Sequence, residues 1–126
     1  MRIIGLDHLV LTVKSIEATV AFFRQLGFAE VHFGEGRVAL QCGEHKLNLH
    51  ESGREFEPKA KSPTSGSADL CFRVETPLQQ VIAELGAAGI PIESGPAHRT
   101  GARAGLLSVY LRDPDGNLIE LSNELA

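Results

Sequence analysis

Four polar residues occupy corresponding places in two similar stretches of this sequence. His8 precedes Leu9-Val10-Leu11 as Asp69 precedes Leu70-Cys71-Phe72. Asn48 stands inside Leu47-Asn48-Leu49 as Glu120 stands inside Ile119-Glu120-Leu121. All four can ligate a metal through nitrogen or oxygen. Imidazole favours zinc, nickel, copper or iron, while carboxylates also admit manganese and magnesium. Three protein ligands with open positions make a catalytic rather than a structural site. The expected metal ligands are His8, Asp69 and Glu120. His50 competes with Asp69 for the third place, since it lies two residues beyond Asn48 on the same strand face; it is equally suited to be a general base. Taken singly, these residues have plainer readings. His8 could be a hydrogen-bonded interior histidine, Glu120 could pair with Arg73, and His50 could sit at the surface. Their equivalent positions in the two stretches favour the metal.

Other residues suit substrate binding. The segment GPAHRTGARAG (95–105) carries His98, Arg99 and Arg103 among glycines. Such a loop could close over an anionic substrate, with Arg99 gripping a carboxylate or phosphonate bidentately; the plainer reading is a solvated loop. Tyr110 shares an inward face with Ser108 and lines the expected pocket, as do Arg73 and Asn48. The loop glycines form no G-x-G-x-x-G motif. Cys42 and Cys71 form no C-x-x-C pair, and two cysteines cannot build a zinc cage. Cys71 reads as a small buried thiol within an apolar run.

These residues need elements to position them. DHLVLTV (7–13) alternates as a strand with one greasy face, and Ser15 can cap the helix that follows. Ile16, Val20, Phe23 and Leu26 recur at helical spacing, with Gly27 as the stop. Phe28–Phe33, Arg37–Cys42 and Lys46–His50 read as three strands joined by glycine turns. The polar stretch 51–67 reads as a connector with no element of its own, and Lys59-Ala60-Lys61 within it as solvated. The pattern then restarts. ADLCFRV (68–74) alternates, Thr76-Pro77-Leu78-Gln79 reads as a capping box, and Leu78, Val81, Ile82 and Leu85 form a stripe. Ile90–Glu93 reads as a short strand. LLSVYLR and NLIELS make a hairpin around Asp113-Pro114-Asp115-Gly116, where proline presets φ and glycine accepts φ > 0.

The expected fold is therefore α+β: two β-α-β-β-β repeats forming a cupped mixed sheet with helices on the outer face. One domain spans 1–126, with repeat one at about 5–50, the connector at about 51–67 and repeat two at about 68–123. Alternation puts His8, Val10 and Thr12, then Lys46, Asn48 and His50, on the face away from the helices. It does the same for Asp69, Cys71 and Arg73, and for Leu118, Glu120 and Ser122.

Composition narrows the function. A chain of 126 residues, 43% hydrophobic and 22% charged, can bury a core without disulfides. A net charge of -4 argues against a general nucleic-acid binder, and no basic helix or apolar run of the ~20 residues needed to span a bilayer points to a membrane. The start MRIIGLDH reaches a charge before any apolar signal region develops, which makes the cytoplasm the expected location.

On DHLVLTV, the FFRQLGF helix end and YLRDPDGNLIEL, the chain resembles the vicinal oxygen chelate superfamily, the small glyoxalase/bleomycin resistance/dioxygenase domain. The resemblance spans nearly the whole chain. In LNLHESGREFEPKAKSPTSGSADLCF and GPAHRTGA it is similar to the glyoxalase domain-containing protein 5 group, which includes bacterial virulence and lactoylglutathione lyase-like proteins. The resemblance implies a divalent metal (Zn, Ni, Mn or Fe) at His8, Asp69 and Glu120, with Asn48 in the fourth position. The glyoxalase I pattern there is His or Gln, Glu, His and Glu. The departure at Asn48 counts against lactoylglutathione lyase activity itself, because an amide cannot accept the proton that the isomerisation moves.

The expected function is a metal-dependent lyase, isomerase or oxygenase. It would chelate a small oxygen-rich metabolite through two neighbouring oxygens, with Glu120 and His50 as the catalytic groups. The alternative is a metal-free module that sequesters an antibiotic or other small molecule, as bleomycin-resistance relatives do. A chain with no Trp and one Tyr offers little for stacking a large planar drug. The resemblance also implies a homodimer.

Overall fold

The computed structural model describes residues Met1–Ala126, which divide into two compact units, Met1–Ser67 and Ala68–Ala126. The first holds β1 (His8–Val13), α1 (Ile16–Gln25), β2 (Ala29–Phe33), β3 (Arg37–Cys42) and β4 (His45–Glu51). The second holds β5 (Asp69–Arg73), α2 (Leu78–Ala87), β6 (Ser94–Thr100), β7 (Gly105–Arg112) and β8 (Leu118–Glu124). Each unit is one β-α-β-β-β repeat with its own four-stranded mixed sheet. The strand orders are β1-β4-β3-β2 and β5-β8-β7-β6, and the parallel pairs are β1/β4 and β5/β8. The meander of three antiparallel strands after each helix is what returns the last strand beside the first.

Alternation builds each core. In the first unit Leu11 and Val13 of β1 and Leu47 and Leu49 of β4 turn inward with Val20 and Phe23 of α1. Phe23 is fully buried and meets the Phe28 ring edge-on at 5.1 Å. Burying such a side chain stabilises the fold by roughly 2–3 kcal/mol. Ser15 caps α1 as expected, its Oγ accepting from the Ala18 amide at 3.1 Å, and Gly27 ends the helix at φ +96. In the second unit the stripe Leu78, Val81 and Leu85 is buried where α2 meets β7, and Val109, Leu111, Ile119 and Leu121 of β7 and β8 are buried as well.

Three expectations fail. The start of α2 is not a capping box: Pro77 is the N-cap, and no side chain of the helix's own caps it. Asn123 of β8 supplies the cap instead, accepting from the Leu78 amide at 2.7 Å through Oδ1 and donating to the Val74 and Thr76 carbonyls. The residues 90–93 form no strand, whereas Ser94–Thr100 do, so Arg99 sits on β6 rather than on a loop. Most of β6 is exposed on both faces, which leaves no alternation to read; its backbone bonds to β7 hold it. Finally, Cys71 is exposed, because the face of β5 it shares with Asp69 and Arg73 is open.

The stretch 52–68 contains neither helix nor strand. It nevertheless covers part of the sheet: β4 is buried from Leu47 to His50 on both faces. No helix is long and apolar enough to cross a membrane.

Candidate functional site

In the second unit, register gathers the expected residues on one face. Cys71 pairs with Glu120 across β5 and β8, Arg73 with Ser122, and β7 places Tyr110 opposite Glu120 and Ser108 opposite Ser122. A hydroxyl chain then leads to Glu120. Ser108 and Ser122 Oγ atoms lie 2.6 Å apart, Ser122 Oγ donates to Glu120 Oε2 at 3.3 Å, and Cys71 Sγ lies 3.3 Å from Ser122 Oγ. With the one Ser122 proton on Glu120, Ser108 donates to Ser122, and the Cys71 thiol has both Ser122 and Glu120 as hydrogen-bonding partners. The chain is thus polarised towards the carboxylate. Partial desolvation of the thiol first, then the negative Glu120 beside it and a hydrogen bond to that carboxylate, push Cys71 above its ordinary pKa.

Glu120 borders a cavity of about 430 Å3 that Cys71, Arg73, Arg99, Arg103 and Glu124 also line. Arg99 is anchored from below: its Nε donates to Tyr110 Oη at 2.8 Å and its Nη1 to the His98 carbonyl. Arg73 reaches Glu124 at 3.2 Å rather than Glu120, and Arg103 grips both Glu124 oxygens. Hydrogen bonds from Arg103 hold the Glu124 carboxyl below the usual range. So Glu120, Arg73 and Arg99 surround one cavity and Tyr110 joins them through Arg99. Asp69 lies one step along the same strand face, exposed. A wider depression of about 640 Å3 near Pro77 and Asn123 holds neither Glu120 nor Arg99.

In the first unit, β1 and β4 run parallel with His8 opposite Lys46, Val10 opposite Asn48 and Thr12 opposite His50. His8 Nδ1 donates to Asp7 Oδ1 at 2.8 Å, which leaves Nε2 available. Asn48 is 5% exposed and its Oδ1 has no partner. His50 is 3% exposed and faces Arg37 Nη2 across 3.3 Å at Nε2. The Arg37 guanidinium lies 5.1 Å from the Phe33 ring centre and 4.7 Å from that of Phe56, which also meets His50 edge-on. Burial, then the Arg37 charge, lowers the His50 pKa. A cavity of about 200 Å3 opens beside His50, walled by Val10, Thr12, Pro58, Lys59 and Pro63. Lys59 and Ala60, though solvent-exposed, belong to this wall, so the connector is more than a tether.

Taken one by one, His8 in the first unit and Glu120 in the second have the donor chemistry of metal ligands. An imidazole whose Nδ1–H is held by a carboxylate presents Nε2 in the tautomer that metals take. Glu120 lines a cavity, and Asn48 Oδ1 is a buried acceptor without a donor. No three His, Cys, Asp or Glu side chains gather into a metal-sized cluster. Sequence reasoning missed Arg37 and Phe56. Arg37 was visible as the first residue after the Gly34-Glu35-Gly36 turn, but Phe56 lies in a stretch without periodicity.

The chain matches the family described as the Glyoxalase/Bleomycin resistance protein/Dioxygenase superfamily over residues 5–121. It is 54% identical over 123 residues to virulence protein STM3117 of Salmonella typhimurium, covering 97% of this chain and 85% of that one. The crystal structure of that protein superposes with a TM-score of 0.97 at 52% identity, covering 99% of this chain and 100% of the other. The chain is also 49% identical over 119 residues to the glyoxalase domain-containing protein RDO1 of Mycosarcoma maydis, covering 94% and 68% respectively. A lactoylglutathione lyase from Agrobacterium tumefaciens superposes with a TM-score of 0.71 at 25% identity, covering 94% and 92%.

Proposed function

The chain belongs to the glyoxalase/bleomycin resistance protein/dioxygenase superfamily, and from that premise we propose that it is a divalent-metal-dependent lyase, isomerase or oxygenase of a small oxygen-rich metabolite. The observation that carries this reading is Glu120: a carboxylate at a cavity, with one oxygen fed by a hydroxyl chain. His8, Asp69 and Glu120 would hold the metal (Zn, Ni, Mn or Fe); His50, whose Nε2 accepts from the Arg37 guanidinium, is left as a polar group for the substrate rather than a third ligand. When bound, the metal supplies Lewis-acid stabilisation of oxyanion charge on a substrate chelated through two oxygens.

The chain's own residues do the rest. Glu120 accepts or returns the proton, and the Ser122 bond keeps its carboxylate oriented. Arg99, braced by Tyr110, and Arg73 attract the anionic part of the substrate. Asn48 offers an acceptor to a substrate hydroxyl or amide, and His50 offers its ring as a neutral hydrogen-bonding partner. Lactoylglutathione lyase activity itself is disfavoured, since Asn48 cannot serve as a base. A second copy of the chain as partner, forming a homodimer in the cytoplasm, belongs to the same proposal.

Metal analysis of the purified protein tests it. The expected result is stoichiometric divalent metal that is lost in His8→Ala and in Glu120→Gln. Metal-free protein, with stabilisation by antibiotics alone in a thermal-shift screen, would instead support a sequestering role.

A further inference from the structure

We propose that the cavity of about 200 Å3 in the first unit is a subsite for a small carboxylate. In it His50 Nδ1–H, the Thr12 hydroxyl and the Lys59 ammonium take the two oxygens, and Arg37 is the residue that positions His50. The subsite goes beyond the metal-dependent reading and needs no metal.

Donor bookkeeping is the first support. A guanidinium only donates, so the contact between Arg37 Nη2 and His50 Nε2 makes Nε2 the acceptor and leaves the ring proton on Nδ1. Nδ1–H is then the donor His50 has left, and His50 lines the cavity. Thr12 is its register partner on β1 and lines the same cavity, as does Lys59 from the connector. Three donor side chains thus border a space to which no aspartate or glutamate contributes. Val10, Pro58 and Pro63 complete the wall and suit a short hydrocarbon body.

Charge is the second support. Arg24, Arg54, Arg73, Arg103 and Arg112 each pair with a glutamate. Arg37 does not; its polar contact is His50, and its Nε is buried without a partner. Phe33 and Phe56 flank the guanidinium, which keeps it from swinging to solvent. A half-buried cation without a counter-ion is costly in a chain whose net charge is -4. Lys59 is held between Glu55 at 3.7 Å and Glu57 at 3.4 Å, which keeps its ammonium beside the cavity. An anion beside His50 offsets the Arg37 charge, and charge-assisted bonds from Lys59 favour carboxylate over a neutral group of the same shape.

The test uses metal-free protein in chelator, read by NMR, with propionate as the probe and propionamide as its neutral counterpart. Propionate should shift the His50 ring and the Thr12 amide and bind at least about tenfold more tightly than propionamide. Lys59→Gln, a change at an exposed site, should weaken propionate by a similar factor. A long-range proton–nitrogen correlation on the unliganded wild type should find the His50 proton on Nδ1. Equal binding of the two probes, no shift at His50 and Thr12, an unchanged affinity in Lys59→Gln, or a proton on Nε2 would each overturn the proposal.

Discussion

His50 shows how one side chain's surroundings set its chemistry. It is 3% exposed at the edge of a cavity, and burial followed by the Arg37 charge lowers its pKa below the ordinary value of about 6.5. The neutral ring is therefore the form the fold prefers. Its contribution to stability is full above pH 6.5 and is lost as the pH falls from there through the lowered folded value, because the unfolded chain takes up the proton first. Denaturant melts at pH 7.5 and 5.5 should show the wild type losing more stability than His50→Gln; equal losses would refute this. Asp113 gives a second test. It is 5% exposed, and its oxygens accept from the Asp115 and Asn117 amides and from Asn117 Nδ2. Asn117 in turn accepts from the Ala68 amide at 2.8 Å, tying the turn to β5. Asp113→Ala should cost about 2–3 kcal/mol by chemical denaturation, since it strands buried donors. At this scale the sequence revealed faces better than partners. Alternation put Glu120, Arg73 and Tyr110 on one face, where register places them. It could not pair Arg37 with Phe56, which meet only because the connector folds back.

Among the elements, those with a stripe were legible. The helix from Ile16 and the one from Leu78 follow their apolar spacing, and β1, β4, β7 and β8 follow theirs. What failed was the local reading of ends and edges. Thr76-x-x-Gln79 has the form of a capping box, yet the cap comes from Asn123, 45 residues from the Leu78 amide it binds. Long-range bonds of this kind leave no local trace. Asn123→Ala should cost about 1–2 kcal/mol, and Thr76→Ala clearly less, in parallel thermal melts. A larger loss in Thr76→Ala would mean the local box forms after all. The strand β6 hides for another reason. Its Gly95 stands at φ +100, where an added Cβ would lie 2.5 Å from the Ser108 carbonyl oxygen. Glycine there is what lets the strand approach β7 across a bulge, but a glycine in a sequence reads first as a turn.

For the whole chain, the repeat was the most legible feature, because the same order of patterns occurs twice. The proposed metal binding is read out at this scale, as stability of the whole chain. A divalent ion at one hundred times its dissociation constant should stabilise the folded protein by about 2.7 kcal/mol. The rise in melting temperature should vanish in His8→Ala; an undiminished rise would place the ion elsewhere. The separate sheets carry one more consequence. All four strands of the first sheet lie between His8 and Glu51, and its parallel pair closes with β4. Nothing from the second repeat is needed to complete that hydrogen-bonded ladder. During synthesis the amino-terminal half can settle while the remainder is still emerging from the ribosome, which shortens the time its apolar strands stand open to aggregation.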